Sequence, residues 1–173
     1  MKKVNKVNLV IFAIIGLVIF CGRVVFAAGE YHIVKDRSTL AFEIMNSDGE
    51  AILGEFLEFD GNIFLDKHNL ETFNTNIDVQ AINIKTDSIE KDDQMRGEEY
   101  FDAVNFPTIS FTSRRILRKK IDVSRKHPNY EVLGSLNIKG QKVEIAFPVF
   151  VSGPITQPMG GESIYITGEK NKV

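Results

Sequence analysis

Apolar and polar residues alternate with a period of two along much of the chain, a pattern typical of β-strands that bury one face. Apolar residues and one glycine occupy every second position from Tyr130 to Ile138, and apolar residues do so again from Val143 to Val151. The segment 139–141 between these stretches has the composition of a turn. The sequence therefore predicts an antiparallel hairpin in this region.

Further stretches with the same alternation predict more strands. They are Tyr31–Ile33 continuing through Leu40–Met45, one long strand Gly54–Asp66, Ile77–Ala81, Thr108–Thr112 and Ser163–Thr167. Within the long strand, Gly61 is expected where curvature or a close neighbour leaves no room for a side chain. We predict an all-β domain of about seven strands, mostly antiparallel, with one short helical insert.

The predicted helical insert lies between the Ile77 and Thr108 strands. Asp87 or Ser88 can cap a short helix, and Gly97 interrupts it. Pro107 disfavours helical geometry in the residue before it, so the insert must end by Phe106. A polar, strongly acidic helix between two strands favours a lid over a barrel.

The first 28 residues have the composition of a secretory signal. Three lysines within the first six residues precede an apolar run, Leu9–Phe20, and Ala27 or Ala28 offers a small-residue cleavage site. An apolar run of this length falls short of the roughly 20 residues that span a bilayer. Acylation of the only cysteine, Cys21, is disfavoured because the bulky Phe20 precedes it. We predict cleavage, a domain over residues 29–173, and a periplasmic or secreted protein.

Composition and charge exclude several functions. The 173 residues are 43% apolar and fit one domain. Cleavage would remove four cations and no acid, leaving a net charge of −6, which disfavours nucleic-acid binding. There is no phosphate loop, nucleophile elbow or paired-cysteine metal motif. The three histidines, His32, His68 and His127, are far apart, so we predict no catalytic or metal site and no cofactor.

Three blocks of the sequence resemble the YceI-like family of lipocalin-like periplasmic barrel proteins. The matching residues are Gly54, Phe56, Phe59, Gly61, Ile63 and Asp66; then Thr86, Asp93, Arg96, Phe101, Asp102, Phe106 and Pro107; then Tyr130, Val132, Gly134, Leu136, Ile138 and Gly140. The resemblance implies a barrel of about eight antiparallel strands that binds an isoprenoid or similar amphiphile. It also implies closing strands beyond this sequence, so we expect a barrel that is incomplete at the C-terminus or completed by a partner. A second copy of the chain, in a homodimer, is one such partner.

The chain differs from the family pattern where that pattern carries histidine. Arg37, Asn46 and Gln94 occupy those positions. An amide keeps hydrogen bonding but loses the titratable, metal-binding imidazole. A metal or proton-transfer role is therefore disfavoured, whereas a role based on an apolar interior is not affected.

Inward-facing residues of the strands, together with residues of the lid, are the predicted ligand contacts. They are Phe42, Ile44, Phe56, Phe59, Ile63, Ile77, Val79, Asp93, Arg96, Phe101, Phe106, Ile109, Phe111, Val132, Leu136, Ile145 and Phe147. An eight-stranded barrel can fill its interior with side chains or enclose one small ligand, so the phenylalanines either pack a core or line a cavity. Arg96 either meets a polar head group or pairs with Asp93 one helical turn away.

The functional prediction is non-enzymatic binding, transport or storage of a polyprenyl, quinone-like or other long-chain lipid. The alternative is a periplasmic accessory or stress-response protein of membrane electron transport with no dedicated ligand. An enzyme acting on the bound lipid is a weaker hypothesis. The basic run from Arg114 to Lys126 either makes transient contact with anionic lipid or forms a solvated hairpin tip.

Overall fold

The structure is a computed structural model that describes residues 19–22, 29–46, 48–66, 69–118, 129–156 and 162–168. These residues contain eleven strands, one α-helix and one 3-10 turn, Lys35–Arg37. The elements are β1 (Ile19–Gly22), β2 (Gly29–Ile33), β3 (Leu40–Met45), β4 (Ala51–Phe56), β5 (Phe59–Asp66), β6 (Asn69–Gln80), β7 (Ile84–Lys85), α1 (Ile89–Arg96), β8 (Thr108–Arg118), β9 (Asn129–Ile138), β10 (Gln141–Thr156) and β11 (Glu162–Gly168).

The strands form a curled barrel sheet and a smaller three-stranded sheet. Seven strands follow one another in the order β11-β10-β9-β8-β6-β5-β2, and β1 joins the two ends of this sheet. The small sheet has the order β3-β4-β7. All pairs are antiparallel. The predicted antiparallel barrel with one short helical insert is confirmed.

The hairpin predicted from the clearest alternation is formed by β9 and β10. Gln141 pairs with Ile138, which leaves Lys139 and Gly140 as a two-residue turn. Both have positive φ, 50° and 68°, as in the turns whose twist matches that of paired strands. Tyr130 and the apolar residues that alternate with it along β9 are buried, as predicted.

The prediction of one long strand from Gly54 to Asp66 is wrong. The chain leaves the small sheet after β4 and enters the barrel sheet with β5. Leu57 and Glu58 lie between the two strands: the N–H of Leu57 donates to the carbonyl of Asn83, and the carbonyl of Glu58 accepts from Gln80. The chain is also divided between β2 and β3, which belong to different sheets on either side of the 3-10 turn.

Gly61 lies where a side chain would collide with the neighbouring strand. A Cβ at this position would overlap the backbone carbonyl oxygen of Asn76 and lie 3.1 Å from the Cα of Ile77, its cross-strand partner. The expectation that a close neighbour requires glycine here is therefore confirmed.

Strand β1 lies inside the segment that the sequence predicts to be a cleaved signal. It pairs with β11 through Ile19 and Phe20, and with β2 through Cys21 and Gly22. Removal of residues 1–28 would therefore take one strand out of the closed barrel. Signal cleavage stays a prediction.

The hydrophobic core lies between the concave face of the barrel sheet and the inner face of the small sheet. The inner face of the small sheet contributes Leu40, Phe42, Ile44, Ile52 and Phe56, all buried. The insert between β6 and β8 closes over this region, and its two ends meet where the N–H of Ala81 donates to the carbonyl of Pro107 at 2.8 Å. The small sheet and the insert together cover the interior. Within the described ranges, no helix has both the length and the hydropathy needed to cross a membrane.

Candidate ligand cavity

One cavity lies between the two sheets and beneath the insert. Its volume is about 60 Å³, and all thirteen residues around it are apolar. They are Leu40, Ala41, Phe42, Ile44, Phe56, Ile77, Val79, Phe101, Ile109, Phe111, Leu136, Ile138 and Phe147. An apolar cavity of this kind stays dry and favours an apolar occupant. We call it the lid-side chamber.

A smaller cavity continues deeper into the barrel. It has a volume of about 20 Å³ and is lined by Ile63, Phe73, Thr75, Ile77, Phe111, Val132, Phe147, Val149 and Ile166. Its one polar lining residue is Thr75, whose hydroxyl donates to the carbonyl of Asn62 at 2.9 Å. We call it the inner chamber.

Phenyl rings occupy much of the interior. Phe42, Phe56 and Phe101 form a cluster with ring centroids 5.0 to 5.3 Å apart, and Phe111 and Phe147 lie 5.4 Å apart in an edge-to-face arrangement. Such pairs are stabilising beyond the area they bury. The lid-side chamber is less than half the volume of the roughly 150 Å³ engineered cavity that binds benzene. A ligand with a long tail must therefore displace some of these rings.

The lid is the insert around α1, and it is fastened to the barrel at several points. Ser88, one of the two predicted caps, accepts from the N–H of Lys91 at 3.2 Å, and the helix ends at Arg96, directly before the predicted interruption at Gly97. Met95 is fully buried, and Phe101 places its ring in the roof of the lid-side chamber. At the β9–β10 turn, the Lys139 ammonium donates to the carbonyl of Glu98 at 2.7 Å.

Arg96 holds α1 to the segment that precedes it. Its Nε donates to the carbonyl of Ile82 at 2.8 Å, and one terminal nitrogen donates to the carbonyl of Ile84 at 3.0 Å. The other terminal nitrogen donates to the carboxylate of Asp93 at 2.8 Å. The geometry therefore gives Arg96 a structural role, and the Asp93–Arg96 pair corresponds to the alternative that the sequence left open.

Asp92 fixes the start of the lid. One carboxylate oxygen accepts from both the hydroxyl and the backbone N–H of Thr86, each at 2.6 Å. These two hydrogen bonds hold the pKa of Asp92 below its ordinary value, and the bond from the hydroxyl has the larger effect. The charge of Arg96 lowers this pKa as well. Thr86 is one of the residues that carry the family resemblance, and its role in this structure is to donate hydrogen bonds to Asp92 on α1.

The structure gathers most of the predicted contact residues around the two chambers. Ten line the lid-side chamber: Phe42, Ile44, Phe56, Ile77, Val79, Phe101, Ile109, Phe111, Leu136 and Phe147. Ile63 and Val132 line the inner chamber. Asp93, Arg96, Phe59, Phe106 and Ile145 line neither.

The five residues outside the linings have other surroundings. Asp93 is 73% exposed on the lid surface. Phe59 is buried in the core opposite Val79, and Ile145 is partly buried opposite Gly134. The ring of Phe106 packs over Gly140, where a Cβ would lie 2.9 Å from it.

Some lining residues were absent from the predicted set. Leu40, Ile138 and Val149 continue alternations that the sequence already showed, so the same signal would have found them. Phe73 and Thr75 belong to the first half of β6, which was not predicted as a strand. Ala41 and Ile166 also line the chambers, Ile166 from β11 at the seam with β1.

The described residues contain no cluster of three histidine, cysteine or acidic side chains suited to hold a metal ion. Asn46 uses its side-chain oxygen to accept from the N–H groups of Asp48 and Glu50 in the turn after β3. His68, His127 and the basic run beyond Arg118 lie outside the described residues.

The fold and the interior define an antiparallel barrel with an apolar cavity under a helical lid. A family model described as the YceI-like domain matches residues 31–169. The chain belongs to the YceI-like family, which confirms the resemblance seen in the sequence.

Curated relatives and solved structures agree with this assignment. The chain is 25% identical to "Protein YceI" of Salmonella newport (strain SL254), an alignment that covers 91% of this chain and 78% of the relative. It is 26% identical to "UPF0312 protein YE1254" of Yersinia enterocolitica, covering 81% and 73%.

Among solved structures, the YceI protein of Campylobacter jejuni superposes with a TM-score of 0.56 at 22% identity, over 65% of this chain and 63% of that one. BcnA of Burkholderia cenocepacia superposes with a TM-score of 0.54 at 18% identity, over 74% and 91%. At these identities the two structures show a shared fold.

Proposed function

We propose that this protein is a non-enzymatic carrier or storage protein for a slender apolar molecule, an isoprenoid or another long-chain amphiphile. The observation that carries the proposal is the lid-side chamber, which is lined by thirteen apolar residues from both sheets and the lid. We further propose that it acts in the periplasm or outside the cell, after loss of residues 1–28.

The energetics suit an apolar tail. Each methylene that leaves water contributes roughly 0.8 kcal/mol, so a tail gains affinity without any hydrogen bond. Because lining residues of the lid-side chamber provide no polar side chain, the ligand's head group would stay at the lid surface in water. Selectivity along the tail would depend on length and width.

Entry requires an enlarged interior. The Phe101 ring belongs to the lid and contacts Phe42 and Phe56 of the small sheet. Outward movement of the lid would withdraw this ring and lengthen the lid-side chamber without breaking any strand pair of the barrel. The hydrogen bonds of Arg96 and Lys139 are the contacts that such a movement must break or carry along.

The alternative is an accessory protein that docks on membrane electron-transfer proteins and has no dedicated ligand. The small volume of the chamber and the interlocked rings favour this candidate, because side chains alone can fill an eight-stranded barrel. The two candidates differ in what the purified protein contains.

Extraction of the purified protein followed by mass spectrometry separates them. A carrier should contain a stoichiometric prenyl or acyl compound and should bind an apolar fluorescent dye. The variant Leu136→Phe adds bulk inside the lid-side chamber and should weaken dye binding at least about tenfold, since several methylene-sized contacts are lost.

Val143→Phe is the matched control. Val143 is the cross-strand partner of Leu136 but is 45% exposed and outside the chamber lining. This variant should bind the dye as the wild type does. Equal loss in both variants, or no lipid and no dye binding by the wild type, would contradict the carrier proposal and favour the accessory protein.

A further inference from the structure

A single layer of side chains separates the two chambers. Ile77, Phe111 and Phe147 line both of them, so each of these side chains has the lid-side chamber on one side and the inner chamber on the other. They come from three different strands, β6, β8 and β10. The layer therefore crosses the barrel interior.

The order of residues along the strands confirms that the chambers lie end to end. On β6, Val79 lines the lid-side chamber, Ile77 lines both and Thr75 lines the inner chamber. On β9, Leu136 lines the lid-side chamber and Val132 the inner one, with Gly134 between them. From Val79 to Phe73 the strand extends about 20 Å at roughly 3.3 Å per residue, so the two chambers form one interrupted column.

Phe111 is fixed within this layer. Its ring lies over Gly134, where a Cβ would be 2.5 Å from both Cε2 and Cζ of the ring. The absence of a side chain at Gly134 is what gives the ring its place against the wall. Phe111 is also buried and pairs across strands with Ile77 and Leu136, so it has little freedom to turn.

Phe147 is the less constrained ring of the pair. It is only partly buried, and it packs against the core rather than within it. Its edge-to-face contact with Phe111, at 5.4 Å between centroids, closes the column. Phe147 therefore has fewer neighbours that hold its ring in place than Phe111, which is packed against both Phe147 and Gly134.

We propose that the Phe147 ring, closing against Phe111, sets the length of apolar tail that the protein accepts. A short tail fills the lid-side chamber only. A longer tail enters the inner chamber only by displacing Phe147. This inference rests on the proposed function, since it assigns a length limit to the same ligand column.

The test uses saturated straight-chain fatty acids that increase by one methylene, with the dissociation constant Kd of each measured by calorimetry or dye displacement. In the wild type, each added methylene should lower Kd about fourfold until the lid-side chamber is full, after which Kd should stop falling. In Phe147→Ala the fall should continue through several more methylenes. Acids beyond the wild-type limit should therefore bind about tenfold or more tightly to the variant.

A second variant shows where the extra methylenes go. Val132 is the cross-strand partner of Phe147 and lines only the inner chamber. In Phe147→Ala/Val132→Phe the removed ring is replaced from the neighbouring strand, on the inner side of the layer. The length limit should return to the wild-type value, with a melting temperature that shows the double variant to be folded.

The outcomes separate the two proposals. Fatty-acid binding with the same length limit in the wild type and in folded Phe147→Ala would overturn the role of Phe147 and leave the carrier proposal intact. No binding of any acid by the wild type would overturn both. If Phe147→Ala does not fold, Phe147→Leu should shift the limit in the same direction by fewer methylenes, and an unchanged limit there would overturn the inference equally.

Discussion

The ring of Phe42 lies directly over Gly54, its cross-strand partner in the small sheet. A Cβ at Gly54 would overlap three carbons of that ring, and no backbone atom is among its nearest neighbours. The ring then extends to Phe56 and Phe101, so the glycine makes room for the aromatic cluster in the roof of the lid-side chamber. Gly54 is thus a packing requirement of the cavity.

Gly54→Ala should therefore destabilise the protein by about 1–3 kcal/mol, the usual cost of overpacking a core. The reason is specific, because the three heavy atoms nearest to the added methyl group all belong to the Phe42 ring. In a Phe42→Leu background the same change should cost less, with a coupling of about 0.5 kcal/mol or more. Urea unfolding of the four proteins in the cycle measures this, and strictly additive costs would show that the ring does not lie where we describe it.

Arg96→Met should lower the free energy of unfolding by about 1–2 kcal/mol, because two backbone carbonyls lose a charged donor. Arg96→Lys should restore only part of this loss, since an ammonium group cannot reach the carbonyls of Ile82 and Ile84 together as a planar guanidinium does. Denaturant unfolding and hydrogen exchange of α1 provide the measurements.

Lys91→Met is the control for Arg96. Lys91 is on the same helix and pairs with the exposed carboxylate of Asp87, an interaction worth about 0.3–0.5 kcal/mol. If Arg96→Lys is as stable as the wild type and α1 is equally protected from hydrogen exchange, the role assigned to the guanidinium group of Arg96 is contradicted.

The bonds from Thr86 to Asp92 predict a pH dependence of stability. The folded-state pKa of Asp92 is lowered from 3.8, so its ionised form stabilises the fold at pH values above the unfolded-state pKa. This contribution is lost as the pH falls below about 4 and through the folded-state pKa. The stability difference between wild type and Asp92→Asn should be largest near neutral pH and should shrink in acid.

Thermal unfolding of both proteins between neutral pH and strong acid measures this effect. Asp87→Asn is the control. It removes a carboxylate from the same end of the lid, and the Asp87 side chain is 70% exposed. A difference between wild type and Asp92→Asn that stays constant with pH would contradict the assigned hydrogen bonds.

The strands with strict alternation were predictable because one face of each packs on a single core. The turn at Lys139 and Gly140, the cap at Ser88 and the end of the insert at Pro107 were also readable, since each rests on a local backbone preference. The chemistry of these positions requires no knowledge of what lies across the sheet.

The division into two sheets was not predictable by the same means. Between Phe56 and Phe59 two exposed residues follow each other, so the buried positions change from even to odd numbers. That change marks the passage from β4 to β5. In the sequence it is only a two-residue irregularity between two alternating stretches, and such stretches can be taken for one continuous strand. The pairing of β4 with β7 depends on residues distant in sequence, which no local pattern encodes.

The candidate site was partly predictable for the same reason. Alternation identifies which face of a strand is apolar, and it therefore placed Phe42, Phe111 and Leu136 correctly in the interior. It does not show how far a ring extends, and so the layer that Phe111 and Phe147 form between the chambers could not be predicted. The first half of β6 was missed because Thr75 is a polar residue on the inner face, where it bonds to Asn62.

Strand β1 leads to the last prediction, because within the described residues it pairs with each neighbour through two residues. A protein of residues 29–173 should keep its β-sheet content and cooperative unfolding, since the seven-stranded sheet and the core beneath it remain. The amides of His32 and Ile33 in β2, and of Tyr165 and Ile166 in β11, should exchange faster than in the full chain, because β1 no longer covers that seam. Circular dichroism and hydrogen-exchange mass spectrometry of the two proteins provide the comparison, with the β9–β10 hairpin as the internal control, whose exchange should not change. Failure of residues 29–173 to fold would contradict a mature domain that begins at Gly29, and unchanged exchange at β2 and β11 would show that β1 does not close the barrel.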